Sequence, residues 1–155
     1  MLSQTAEYAL RAILFMSEHD QDMLVTSEVA AATHVPTGYL SKVLQSLQRA
    51  GLVASQRGLG GGFSLAKAPA EITIYEIIQA VDPIRRIRSC PLKLATHKDR
   101  LCPLHRRLDE ALALVEKSFR ATTVAELLAE RPKAPASFIF PWKRHGQRQT
   151  SAKTR

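Results

Sequence analysis

Residues 26–63 read TSEVAAATHVPTGYLSKVLQSLQRAGLVASQRGLGGGF, and this stretch decides the fold. From Leu40 onward, apolar residues recur at positions i, i+3, i+4 and i+7, which gives one helix a single apolar face. That helix is predicted to begin after Pro36 and to end at Gly51. A shorter helix is predicted over residues 27–33, with Thr26 placed to cap its first turn. Two helices joined by so short a link are typical of a helix-turn-helix.

The end of the same stretch predicts a β-hairpin. Residues 52–55 and 63–65 can pair as two short strands, and the glycines between them allow the sharp turn. A helix-turn-helix followed by a hairpin is a winged helix, and Arg57 lies at the base of the wing. We therefore predict a mainly α fold, a winged helix-turn-helix DNA-binding domain with a small β-hairpin wing and a long C-terminal dimerisation helix.

The outward-facing residues of this domain indicate what it binds. A recognition helix enters the major groove and offers short polar side chains near its N-terminus to bases and phosphates. Between Pro36 and Lys67 the chain has basic residues and no acidic residue, so this stretch is locally positive. A solvated helix face or a plain glycine loop would explain each feature alone, but their ordered combination favours binding to double-stranded DNA. The predicted DNA-binding residues are Thr26, Thr37, Tyr39, Ser41, Lys42, Gln45, Arg57 and Gly60.

Composition narrows the class of protein. The 155-residue chain has a formal net charge of +8, but residues 131–155 hold seven basic residues and no acidic one, so the total charge says little about the rest. No run of 18 apolar residues and no signal peptide is present, and we expect a cytoplasmic protein without a membrane partner. No nucleophile elbow, phosphate-binding loop, HExxH or paired-carboxylate motif is present, which argues against an enzyme and gives no sign of a small-molecule substrate.

Helices are predicted on both sides of the winged domain. An amphipathic helix over residues 4–17 should pack on the helix-turn-helix, and capping boxes at 73–76 and 123–126 should open two further helices. Pro103 opens the longest helix, whose apolar stripe suggests a partner helix and therefore a homodimer on a palindromic site. The stripe comprises Leu104, Leu108, Ala111, Leu112, Val115 and Phe119.

The chain is thus divided into four regions. Residues 1–82 form the winged helix-turn-helix domain, and residues 83–102 form a loop without clear periodicity that is the candidate sensor. Residues 103–130 hold the dimerisation helix and a short helix after it. Residues 131–155 form a basic tail that we expect to be disordered.

The loop region contains residues that could bind a metal. Cys90 and Cys102 lie at its edges, His97 lies between them, and His105 follows three residues after Cys102. Thiolate and imidazole are ligands for iron–sulfur clusters and for zinc. Two structural thiols, or a redox pair that closes to a disulfide under oxidant, fit the same residues. These alternatives stay open at this point.

The order of these features resembles the Rrf-two family, the IscR/NsrR group of bacterial transcriptional regulators. The resemblance covers about residues 1–130 and is carried by Tyr8-Ala-Leu-Arg-Ala12, Tyr39-Leu40, Gly51-Leu-Val53 and the glycines of the wing. It implies a homodimer, winged-helix binding to DNA and, in many members, a 2Fe-2S or related cluster whose state changes operator affinity.

The resemblance also implies a ligand set. Three cysteines in this loop are the usual ligands, and Cys90 matches the first and Cys102 the third, while the middle place falls near His97. His105 matches a histidine that completes the set in the iron–sulfur-assembly branch. Glu7 matches an acidic residue that the nitric-oxide-sensing branch takes from the first helix of the other subunit.

The resemblance leads us to expect a repressor that binds a palindromic operator as a homodimer and senses iron–sulfur status, redox state or nitric oxide through a 2Fe-2S cluster. The alternative is a cluster-free regulator of the same fold. In that case Cys90 and Cys102 act as a thiol switch, or a protein partner supplies the signal.

Overall fold

The computed structural model describes residues 2–19, 22–90 and 101–130, which are mainly helical. The predictions for His97 and for residues 131–155 lie outside this part of the chain. Within it, no helix is both long and apolar enough to cross a membrane. The helices are α1 (Gln4–Ser17), α2 (Thr26–Thr33), α3 (Thr37–Arg49), α4 (Ile74–Val81), α5 (Pro103–Ala121) and α6 (Val124–Ala129), and the strands are β1 (Val53–Gln56) and β2 (Gly62–Leu65).

The apolar face of α3 forms the centre of the core. Its four predicted apolar residues, Leu40, Val43, Leu44 and Leu47, are all buried. They belong to one cluster with apolar residues of α1 and α4. Burying a Leu side chain contributes roughly 1.5–3 kcal/mol, so the burial of this helix face stabilises the winged domain. The same packing leaves the opposite face of α3 in solvent.

The turn between α2 and α3 is fixed by backbone geometry. His34 ends α2 in the left-handed conformation, with φ of 55°. The Val35 N–H donates to the Ala30 carbonyl at 3.1 Å, and the Val35 side chain is buried. Pro36 then caps α3, and its carbonyl accepts from the Leu40 N–H at 2.9 Å. The direction in which α3 leaves the turn is therefore set before any contact with a ligand.

The wing is a two-stranded antiparallel hairpin in which Val53 pairs with Leu65 and Gln56 with Gly62. It differs by one residue from the predicted strands. Leu52 does not begin β1, because its N–H donates to the Leu47 carbonyl at 3.0 Å and closes the end of α3. The other edge of β2 is joined to the segment before α2 by two hydrogen bonds between Phe63 and Leu24, at 2.8 and 2.9 Å.

Two wing glycines are required by space. A Cβ at Gly61 would lie 2.3 Å from the Gln56 carbonyl oxygen, and a Cβ at Gly62 would lie 2.6 Å from the Leu24 carbonyl oxygen. Both contacts are with backbone atoms, which cannot rotate away as a side chain can. The backbone at residues 61–62 therefore lies directly against Gln56 at the end of β1 and against Leu24 before α2.

The predicted capping boxes of α4 and α6 are confirmed. The Thr73 hydroxyl accepts from the Glu76 N–H at 3.2 Å, and the Glu76 carboxylate accepts from the Thr73 N–H at 2.9 Å. Thr123 and Glu126 repeat this geometry at the start of α6. Burial opposes the charge of Glu76, but the Thr73 N–H and the Lys67 amine outweigh it and lower the pKa of the carboxyl group.

The cap predicted at Thr26 is wrong. Helix α2 already includes Thr26, its N-cap is Val25, and the described structure gives this helix no side-chain cap. Instead, the Val25 N–H donates to the Glu28 carboxylate at 3.1 Å. Between the wing and α4 the chain forms a turn of 3-10 helix at Pro69–Glu71.

These caps predict different costs for two similar substitutions. Thr73→Ala removes a hydroxyl that bonds to a helix N-terminus, and it should lower the free energy of unfolding by about 1 kcal/mol. Thr26→Ala removes a hydroxyl without a capping role, and it should change that free energy by less than about 0.5 kcal/mol. Urea unfolding of the two variants and the parent protein measures both values. Equal losses would contradict the assignment of the caps.

Candidate nucleic-acid interface and metal centre

The first three turns of α3 present polar side chains to solvent. Thr37, Tyr39, Lys42 and Gln45 are exposed, whereas Ser41 is half-buried and its hydroxyl donates to the Thr37 carbonyl at 3.1 Å. Because the buried face of α3 is fixed in the core, these side chains stand together on the outer face. Short hydroxyl, amide and ammonium groups in this arrangement can contact base edges and phosphates.

Tyr39 has a second role that the sequence did not indicate. Its hydroxyl is hydrogen-bonded to the hydroxyl of Thr5 on α1. Its ring lies edge-on to that of Tyr8, with the centroids 5.5 Å apart. The Tyr8 hydroxyl in turn accepts from the Gln4 amide at 2.8 Å. Tyr39 therefore joins the start of α3 to α1, although 41% of its surface remains exposed.

The wing adds an exposed cation. Arg57 and Gly60 are exposed, and the turn is closed by the Gly61 N–H, which donates to the Gly58 carbonyl at 3.0 Å. Gly58 and Gly60 have φ of 98° and 77°, which L side chains rarely adopt. Between them Leu59 is fully exposed at the tip, a feature that the sequence analysis did not single out.

The local charge is smaller than the sequence suggested. Lys67 pairs with Glu76 at 3.0 Å, so its charge is balanced. Lys42, Arg49 and Arg57 pair with no carboxylate within the described residues. These three cations leave α3 and the wing with a net positive surface, as a DNA backbone requires.

A second candidate site lies where the irregular segment after α4 meets the start of α5. Ligand atoms of Cys90, Cys102 and His105 all lie within 4.8 Å of one another. The His105 Nδ1 is 3.1 Å from the Cys102 sulfur and 3.6 Å from the Cys90 sulfur. Cys90 is buried, and the other two side chains are half-buried. Cys102 is the N-cap of α5, so the spacing of three residues places it beside His105 on the first turn.

The donor chemistry of this group fits an iron–sulfur cluster or zinc. Both are bound by thiolate sulfur and imidazole nitrogen, and both usually take four protein ligands. The described chain supplies three. Of the other two predicted ligands, His97 lies outside the described residues. Glu7 lies on the exposed side of α1, where its carboxylate accepts from the Arg11 guanidinium, and it is not part of this group.

The segment that carries Cys90 is tied to α5 by an ion pair that the sequence analysis did not find. Two guanidinium nitrogens of Arg86 donate to the two Asp109 oxygens at 2.7 and 2.6 Å. The Ile87 N–H donates to Asp109 Oδ1 at 2.8 Å. No periodic signal marks such a contact, because its partners are 22 and 23 residues apart in the chain.

The hydrogen bonds from Arg86, followed by that from the Ile87 N–H, lower the pKa of Asp109, although partial burial opposes the shift. The same bond raises the pKa of Arg86. A carboxyl group with a lowered pKa stabilises the fold while it is ionised. This contribution is therefore present at neutral pH and is lost as the pH falls through the lowered value.

The family model and the related sequences all indicate one family of transcriptional regulators. The model of the Rrf2 family, described as an iron-dependent transcriptional regulator, matches residues 2–130. An HTH-type transcriptional regulator of Aquifex aeolicus is 31% identical over 147 residues, which cover 93% of this chain and 99% of the relative. The HTH-type transcriptional regulator NsrR of Geobacillus kaustophilus is 32% identical over 136 residues, which cover 84% of this chain and 90% of the relative.

A solved structure supports the same fold. The T. potens IscR structure matches with a TM-score of 0.69 and 21% identity, over 86% of this chain and 93% of that chain. At this level of identity the match speaks for the winged-helix architecture and not for the ligands of a metal centre.

Proposed function

The chain belongs to the Rrf2 family of transcriptional regulators, and on that premise we propose that it is a homodimeric repressor that binds a palindromic operator and senses its signal through a cluster held by Cys90, Cys102 and His105. Its relatives regulate transcription and are not enzymes, as the sequence predicted. The family match supports the regulatory role. The observation that carries the sensing role is that Cys90, from the irregular segment after α4, meets Cys102 and His105 at the start of α5.

For DNA binding, the outer face of α3 is the reading surface. Thr37 and Ser41 are suited to contact base edges, because they are short hydroxyl residues near the N-terminus of the helix. Lys42 and Arg57 are suited to phosphates, since both are exposed and unbalanced by acids among the described residues. Thr26, Tyr39, Gln45 and Gly60 complete the proposed contact set.

For sensing, a 2Fe-2S cluster bound to this group would supply a redox- and nitric-oxide-sensitive centre. Two thiolates donate less negative charge to iron than the three usual in the family would. The smaller donated charge would raise the reduction potential of the bound cluster, as it does in Rieske centres. Glu7 stays a candidate fourth ligand across the dimer, because its carboxylate lies on an exposed face of α1. His97 stays a candidate from the loop.

A thiol switch is the second candidate for sensing. It is favoured by the same geometry, because the Cys90 and Cys102 sulfurs lie within 4.8 Å of each other. A disulfide needs the sulfurs at about 2.05 Å, so the two sulfurs would have to approach each other by up to roughly 2.8 Å. A cluster and a disulfide would use the same sulfurs and therefore exclude each other.

For dimerisation, α5 supplies the surface. Within this described helix no residue is buried, and Leu104 and Leu108 are 63% and 47% exposed. Large apolar side chains aligned on one face are costly to leave in water, and a second copy of α5 would cover them. A twofold pair would also supply two recognition helices to the two halves of a palindrome.

The DNA-binding proposal predicts the effect of salt. Lys42→Ala and Arg57→Ala should each weaken binding and should each reduce the slope of log affinity against log salt by about one, the value for one lost phosphate contact. Fluorescence anisotropy measures this on a duplex selected by the full chain from a random pool. Lys117→Ala removes the same charge from α5 and should leave the slope unchanged. Unchanged slopes for Lys42→Ala and Arg57→Ala would refute these contacts.

The cluster proposal predicts a coloured protein. The full chain purified without oxygen should absorb in the visible range and carry about two iron and two sulfide per protomer. Cys102→Ala should lose both, and the neighbouring change Ser89→Ala should lose neither. A colourless, iron-free parent protein that still binds DNA would remove the cluster and leave the regulator intact. Mass spectrometry of the oxidised chain would then test for the Cys90–Cys102 disulfide.

The dimer proposal predicts the effect of one buried charge. Leu108→Glu should convert the dimer into a monomer, because a carboxylate would have to be buried in an apolar contact. Lys117→Glu, on the opposite side of α5, should leave the dimer intact. Sedimentation equilibrium distinguishes the two states. A dimeric Leu108→Glu variant would place the interface elsewhere.

A further inference from the structure

Cys90 poses a structural problem that the proposed centre does not itself solve. It is buried at 6% exposure, yet residues 83–90 form neither a helix nor a strand. The other two ligands lie on the first turn of α5. Some contact must hold the irregular segment against that turn, because an unanchored segment would sample many positions for its sulfur.

The Arg86–Asp109 pair is placed to do this. Asp109 follows His105 by four residues on α5, so the two are one helical turn and about 6 Å apart along the axis. Ile87 precedes Cys90 by three residues, and three residues of chain span at most about 10 Å. A bond between Ile87 and Asp109 therefore limits how far Cys90 can move away from the first turn of α5.

The geometry of the Arg86–Asp109 pair requires an arginine at position 86. The guanidinium of Arg86 meets both carboxylate oxygens, which is the two-bond arrangement that fixes orientation as well as distance. The third hydrogen bond, from the Ile87 N–H, holds the backbone itself and not only a side chain. Lysine cannot reproduce this arrangement, because its ammonium is a single point of charge.

The anchor continues into the rest of the protein. Arg86 also lies 3.7 Å from the Glu116 carboxylate, which accepts from Arg120 at 2.9 Å. The Arg120 guanidinium lies over the Tyr75 ring of α4, 3.5 Å from its centroid. The segment is thus held against α5, and α5 is held in turn against the winged domain.

We infer that Arg86 and Asp109 are positioning residues for the Cys90–Cys102–His105 group, and that they bring its sulfurs and imidazole together before any metal binds. The inference rests on the proposed use of this group but not on the identity of what it binds. Prearranged donors lose less conformational freedom when a metal arrives. They also raise the effective concentration of one thiol at the other.

The test uses the full chain without oxygen, with Co²⁺ alone as the probe. Arg86→Ala and Asp109→Asn should each weaken Co²⁺ binding by about 10–100-fold, as removal of groups that orient metal ligands typically does. The sulfur-to-cobalt charge-transfer absorption reports this affinity. The losses in the double variant should add up to less than the sum of the two single losses, because both changes remove the Arg86–Asp109 ion pair. Arg86→Lys should behave like Arg86→Ala.

The matched control is Arg106→Ala. It removes an exposed pair with Glu110, at 3.5 Å on the same helix, and should bind Co²⁺ like the parent. Asp109→Asn keeps the shape of the side chain, so a loss of Co²⁺ binding in this variant would not result from misfolding caused by a truncated side chain. Parent-like affinity in both Arg86→Ala and Asp109→Asn, or additive losses in the double variant, would overturn the inference.

A second readout separates this inference from the proposed metal centre. In a glutathione redox buffer, the equilibrium for closing the Cys90–Cys102 disulfide measures how often the two thiols meet. Arg86→Ala and Asp109→Asn should lower that equilibrium constant by a similar factor, whereas Arg106→Ala should not. If the parent chain binds no Co²⁺, the metal centre fails, and an unchanged disulfide equilibrium would still overturn the positioning role.

Discussion

The burial of one face of α3 is the constraint on which the rest of the structure depends. Once Leu40, Leu44 and Leu47 are committed to the core, the orientation of the helix is fixed. Its polar side chains can then occupy only the outer face, and the end of the helix leads directly into the wing. The proposed reading surface is therefore a by-product of core packing. It needs no loop to reorganise in order to exist.

Much of this fold was predictable because it is written in local patterns. A 3.6-residue period marks α3, and a threonine followed three residues later by glutamate marks the starts of α4 and α6. The prediction failed at Thr26, where valine provides the cap position and Glu28 reaches back to its N–H. An N-cap hydroxyl accepts from an N–H of the first helical turn, whereas the Glu28 carboxylate accepts from the N–H of the cap residue itself, which is a different backbone donor.

The candidate sites were only partly predictable, for a related reason. The sequence was enough to identify Cys90, Cys102 and His105 as candidate ligands, because cysteine and histidine are common metal ligands. The contacts of Tyr39 with Thr5 and of Arg86 with Asp109 join residues that are far apart in the chain and individually ordinary. Nothing in composition or periodicity singles out such partners. They become visible only when packing brings their helices and loops together.

The wing shows how one residue type can meet two unrelated demands. Gly58 and Gly60 are required by backbone conformation, since both have a positive φ that L residues rarely adopt. Gly61 and Gly62 are required by space, since the Cβ of an L residue there would overlap a carbonyl oxygen of a neighbouring segment. Glycines that look alike in the sequence therefore meet two different structural requirements. A D-amino acid at Gly58 or Gly60 would meet the first requirement, because positive φ is the favoured backbone region of a D residue.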